Sequence, residues 1–164
     1  WKDRTLSPLL LFTDATGNSQ LGAAVYDVDG NLLAWSDGEA PTGISPLLLQ
    51  RRTQVTPWEL VAVTWATRLF EYVLRDRPVH VFVDNTAAQF ILTRGAAVPN
   101  DLSAFMAGWL LKMFAMGTSQ LIFRVPSKNN PADGPSRGRR PFGAPDKRGP
   151  VSYPHPTLPT IDTV

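Results

Sequence analysis

The segment Leu9-Leu10-Leu11-Phe12-Thr13-Asp14-Ala15 is nearly all apolar, yet it carries a carboxylate close to its end. An apolar run without polar alternation reads as a central strand buried on both faces. An unpaired carboxylate inside such a strand is costly to bury, so Asp14 calls for a specific partner.

The rest of the chain builds a layer around that strand. Leu21–Asp27 and Asn31–Asp37 flank Asp29-Gly30, a strong short hairpin signal. A connection with Pro and Gly, residues 38–54, leads to a helix expected over Thr56–Arg75, with Thr56 as N-cap and Pro57 first. Ala62, Trp65, Ala66, Leu69, Phe70 and Val73 make its apolar stripe. Pro78 precedes a strand, Val79–Asp84, and a helix between two strands suggests a crossover and a parallel pair. Helices are expected over Thr86–Arg94 and Asp101–Met116, closed by Gly95 and Gly117, then a strand over Gln120–Val125. The order βββαβααβ, followed by a short turn or helix, gives an α/β class with a mixed five-stranded sheet.

Composition narrows the function classes. The 164 residues suit one well-buried domain, and 43% hydrophobic residues with five tryptophans indicate a globular chain. Without cysteine there are no disulfides or thiolate zinc sites, and two histidines, His80 and His155, argue against an imidazole-rich metal site. The net charge of +2 permits a polyanionic partner. No apolar run reaches membrane-spanning length and no leader pattern is evident, so an intracellular protein of the cytoplasm or nucleus is expected. The chain starts at Trp1, as expected of a piece of a longer polypeptide. Prolines at 141, 145, 150, 154, 156 and 159 mark 138–164 as a basic, extended or disordered tail after a domain spanning 1–137.

Three further acids stand where a chain can aim them into one site: Glu59 opening the long helix, Asp84 ending a strand, and Asp133 in Asn130-Pro131-Ala132-Asp133. Four converging carboxylates without basic partners repel unless hard cations lie between them, so the pattern reads as a divalent-metal site of the kind that handles phosphate esters. Each acid has a plainer explanation. Glu59 could close a capping box with Thr56, Asp84 could cap the next helix, and Asp133 could favour a helix N-terminus. Asp29, Asp76 and Asp101 read as turn, loop and helix-start residues, and His80 as a packed strand histidine.

In order and context, Phe12-Thr13-Asp14, Glu59-Leu60-Val61-Ala62, Val83-Asp84-Asn85 and Asn130-Pro131-Ala132-Asp133 with Ser136-Arg137 resemble the ribonuclease H family over residues 8–137. The last motif is most similar to ribonuclease H domains attached to retroelement (LTR- or DIRS-like) reverse transcriptases. The resemblance implies a ribonuclease H-like fold and two-metal hydrolysis of the RNA strand of an RNA–DNA hybrid. It implies two Mg²⁺ ions, replaceable by Mn²⁺, held by Asp14, Glu59, Asp84 and Asp133, and a polymerase domain in the same polyprotein. Ala15, Thr16 and Gly17, Asn85, Gln54 and Thr56, and Lys128 and Arg137 become substrate-contact candidates, with Arg51, Arg52, Arg139 and Arg140 as further phosphate contacts.

Two departures accompany it. The segment Pro126–Asn130 holds no histidine where cellular members carry one, and Gly95–Asn100 has no basic residue where they carry a basic helical handle. Both imply low turnover for the isolated domain. Three other readings stay open: a catalytically silent module of the same fold, a transposase or integrase core acting on DNA, and a Pro-rich tail that docks a partner in extended form.

Overall fold

The computed structural model describes residues 6–96 and 100–144. Strands β1 (Leu9–Ala15), β2 (Gln20–Tyr26) and β3 (Leu32–Glu39) form an antiparallel meander. β1 also pairs in parallel with β4 (Pro78–Val83), and β4 with β5 (Ser119–Arg124). The sheet order is β3-β2-β1-β4-β5, the mixed five-stranded sheet that the sequence leads one to expect, with β1 at its centre. Asp27 closes the β2–β3 hairpin by accepting from the backbone N–H groups of Asp29 (2.9 Å) and Asn31 (2.8 Å). Gly30 there adopts φ +84°, a conformation that glycine takes without a Cβ penalty.

Helices α1 (Val55–Leu69), α2 (Glu71–Leu74), α3 (Thr86–Arg94) and α4 (Asn100–Ala115) follow the same order, and α5 (Asp133–Ser136) is a single turn. Leu9, Leu11, Thr13 and Ala15 of β1 and Val79, Val81 and Val83 of β4 are buried, side by side with the apolar stripe of α1. The Trp109 indole N–H donates to Thr67 Oγ1 (3.0 Å), joining α4 to α1 in the core. The opposite side of the strands is less covered. Leu10 and Phe12 of β1 are only partly buried, so the central strand is not enclosed on both faces along its length.

The expected helix over residues 56–75 is interrupted at Phe70 (φ −98°, ψ 18°). Phe70 and Leu74 are both fully buried, so the apolar stripe runs on across the break and tertiary packing redirects the backbone. At the other end α1 starts at Val55, so Thr56 lies inside the helix and Pro57 is its third residue. Residues 138–144 fold back beyond the boundary expected at 137: Pro141 is buried and Tyr26 Oη donates to the Phe142 carbonyl (2.7 Å). The remainder of the expected tail, 145–164 with His155, lies outside the described residues.

Candidate metal centre

Parallel pairing of β1 with β4 brings the ends of both strands together, and α1 rises beside them. Asp14 near the end of β1, Glu59 on the first turns of α1 and Asp84 just after β4 each offer a carboxylate oxygen, and these lie within 4.8 Å of one another. Asp14 and Glu59 are buried and Asp84 partly so. Because α1 starts two residues before the expected first position, Glu59 is its fifth residue and makes no capping box. Its Oε1 instead accepts the backbone N–H of Ala15 (3.3 Å). Its Oε2 is buried with no donor among the described residues. Asp133 stands outside this trio, near enough for its charge to act on Asp14, and its Oδ1 accepts from Arg137 Nε (2.9 Å).

Burial and mutual repulsion act together here. Loss of hydration raises the Asp14 carboxyl above its ordinary range; the Ser136 hydroxyl, which donates to Oδ2, opposes this, while the charges of Asp84 and Asp133 add to it. Glu59 is pushed up from 4.5 to about 9, chiefly by burial and then by Asp14 and Asp84. Between those two values the folded chain holds a proton that the unfolded chain has released. The Glu59 contribution to stability is therefore complete below pH 4.5 and is lost as pH rises through about 9. In chelator, the melting temperature of the wild type should fall from about pH 6 to about pH 9, and Glu59→Gln should flatten most of that slope. Added Mg²⁺ should raise the melting temperature more at the alkaline end, because metal ligands must be deprotonated. Equal slopes for wild type and variant would contradict this account.

The substrate-contact candidates divide. Ala15 ends β1 and Thr16 and Gly17 open the turn to β2 beside the acids, and nothing lies within 4 Å of the position a Gly17 Cβ would take. Asn85 adjoins Asp84, and its Oδ1 caps α3 by accepting from Ala88 N (2.9 Å). Thr56 Oγ1 reaches the same Asn85 oxygen (3.4 Å). Gln54 is turned to the Leu49 carbonyl (3.1 Å). Lys128 is exposed on a short 3-10 turn, Ser127–Asn129, and Arg137, Arg139 and Arg140 are exposed beyond α5. Arg51 departs from the expected role: it pairs with Asp101 (2.6 Å) and with the Leu49 carbonyl (2.8 Å), tying the loop before α1 to α4. Arg52 is exposed.

Residues that sequence reasoning did not assign to the site hold it in place. Ser136 orients Asp14, and Asn130 donates from Nδ2 to the Thr13 carbonyl (2.9 Å) while accepting from Ala132 N (3.1 Å). Gly22, opposite Asp14 in the β1–β2 register, lets α5 approach the sheet.

No family model and no curated protein matches the chain. Several solved structures are similar to it. LC11-RNase H1 from a compost metagenome, in complex with an RNA/DNA hybrid, has a TM-score of 0.63 and 18% identity, covering 80% of this chain and 95% of that one. The N-terminal RNase H domain of rv2228c from Mycobacterium tuberculosis has a TM-score of 0.57 and 15% identity, covering 81% and 93%. RNase H1 from Halobacterium salinarum NRC-1 has a TM-score of 0.56 and 16% identity, covering 77% and 89%. At such identities the likeness is one of architecture, and by that architecture this chain has the ribonuclease H-like fold.

Proposed function

We propose that this chain is a divalent-metal-dependent endonuclease that hydrolyses the RNA strand of an RNA–DNA hybrid, leaving 5′-phosphate and 3′-hydroxyl ends. The observation that carries the reading is the meeting of Asp14, Glu59 and Asp84 within 4.8 Å on a fold shared with ribonucleases H. The donor set fits a hard cation: all ligands are carboxylate oxygens, and the buried Glu59 Oε2 has no hydrogen-bond partner among the described residues. Asp14, Glu59 and Asp84 would hold Mg²⁺, or Mn²⁺ in its place, with Asp133 completing the set. Bound there, such ions supply an activated water and charge stabilisation at the scissile phosphate.

The chain's own residues set the geometry around that chemistry. Ser136 fixes the rotamer of Asp14, and the Ala15–Gly17 segment lets backbone approach the ribose edge that distinguishes RNA from DNA. Asn85, Lys128 and Arg137 are the proposed partners of the strand near the cut. The motif Asn130-Pro131-Ala132-Asp133 supports placing the domain in a retroelement reverse transcriptase polyprotein, beside a polymerase domain that adds grip on the hybrid. Among the described residues, no helix is long and apolar enough to cross a membrane.

The test is incubation with labelled RNA–DNA hybrid, RNA duplex and DNA duplex, in Mg²⁺, in Mn²⁺ and in chelator. Cutting of the hybrid alone, dependent on metal, is expected. Cutting of DNA ends instead, or cutting that persists in chelator, would overturn the reading.

A further inference from the structure

Three of the four acids meet, and the fourth is held by a cation from its own stretch of chain. Asp133 opens α5, and Arg137, one turn later, donates from Nε to its Oδ1 (2.9 Å). An acid one turn before a base is the favourable order for such a pair on a helix. Asp133 is nevertheless not remote from the trio, because its charge acts on Asp14 as that of Asp84 does. Arg137 stands in the same field. Its guanidinium is held above the ordinary range first by the bond to Asp133, then by the charges of Asp133, Asp14 and Asp84. Where carboxylates repel one another, Arg137 acts as a built-in counter-ion.

The backbone beneath this pair is pinned, while the pair itself is loose. Asn130 is tied to the Thr13 carbonyl (2.9 Å), Ser136 to Asp14, and the Arg139 N–H to the Gly134 carbonyl (2.8 Å). The side chains of Asp133 and Arg137 are by contrast 33% and 54% exposed. A part-exposed ion pair of this kind is weak, so a divalent cation can displace the guanidinium by rotation of two side chains while α5 stays seated. The buried acids of the trio are bound differently. Asp14 accepts from the Ser136 hydroxyl and Glu59 from the Ala15 N–H, both neutral donors that leave the charge of each carboxylate uncompensated. The four acids are therefore unequal toward a cation: three await one, and the fourth already has one.

We propose that Arg137 is a positioning residue that sets the affinity of the second divalent cation: it keeps Asp133 turned away from the trio, so that Asp14, Glu59 and Asp84 take a first ion unopposed and Asp133 contributes to a second only once Arg137 is displaced. The inference rests on the metal-dependent reading given above and adds an order of loading to it.

Titration of the full chain with Mn²⁺, followed by the paramagnetic resonance signal of the free ion and without nucleic acid, measures this directly. The wild type should bind in two steps, the second weaker. Arg137→Ala should leave the first step unchanged and tighten the second by about 3- to 5-fold, the upper part of the range for a part-exposed ion pair. Arg137→Lys, which keeps the charge, should restore the weaker second step at least in part, and Asp133→Asn should abolish that step. A second step that Arg137→Ala leaves unmoved or weakens, with a lower melting temperature in chelator, would reduce Arg137 to a brace of α5 and overturn the proposal. Equal tightening of both steps would overturn it too, as a general effect of charge. A first step that survives Asp84→Asn would sink the metal centre itself, and this inference with it. With that step lost in Asp84→Asn and the second indifferent to Arg137, the inference alone falls.

Discussion

Asp84→Asn is expected to lower hybrid cleavage on the order of 10³-fold or more, the scale on which losing one member of a concerted catalytic set is felt, without lowering the stability of the metal-free fold. The pairing of these two outcomes is what discriminates. Were Asp84 a helix cap, its loss would destabilise α3, but that cap belongs to Asn85, whose Oδ1 accepts from Ala88 N. Asp84 instead adds negative charge beside Asp14 and Glu59, raising both. Removing the charge relieves that repulsion, so melting in chelator should occur at the same or a higher temperature. Asp133→Asn should cost less, about 10- to 100-fold, since Asp133 lies outside the trio and is held by Arg137. Single-turnover cleavage and melts in chelator measure both quantities. An Asp84→Asn protein that cuts normally would place the chemistry elsewhere.

How much of this was legible in the sequence depends on the distance over which each residue acts. The meander, the crossover and the parallel pair follow from local apolar runs and turn signals, and they bring Asp14 and Asp84 to neighbouring strand ends. Glu59 was legible as an acid at the start of α1, but its freedom from capping was not. That depends on the helix starting at Val55, which the proline signal at Pro57 places two residues late. The break at Phe70 leaves no mark in the periodicity, because Phe70 and Leu74 stay in the apolar stripe on both sides of it. Ser136 reaches Asp14 across 122 positions. No local pattern encodes that contact; it arises only when β1 and β2 pair and α5 settles on them.

Gly22→Ala should therefore be the most damaging change outside the carboxylates, although Gly22 touches no substrate candidate. A Cβ at this position would lie 2.2 Å from Ser136 N, 2.5 Å from the Ala132 carbonyl oxygen and 2.9 Å from the Pro135 carbonyl carbon. All three are backbone atoms, so no side chain can swing aside, and α5 must lift from the sheet. Overpacking of this kind costs about 1–3 kcal/mol. The lift also withdraws the Ser136 hydroxyl from Asp14 and carries Asp133 away from the trio, since both ride on α5. Asp14, Glu59 and Asp84 do not ride on α5, so metal-induced stabilisation should survive in part while cleavage falls by about 10- to 100-fold. Gly108→Ala, in α4 with nothing within 4 Å of the added Cβ, is the matched control and should be neutral or gain about 0.5–1 kcal/mol. A Gly22→Ala protein with wild-type melting temperature and wild-type cleavage would mean that the seating of α5 on β2 does not position the acids.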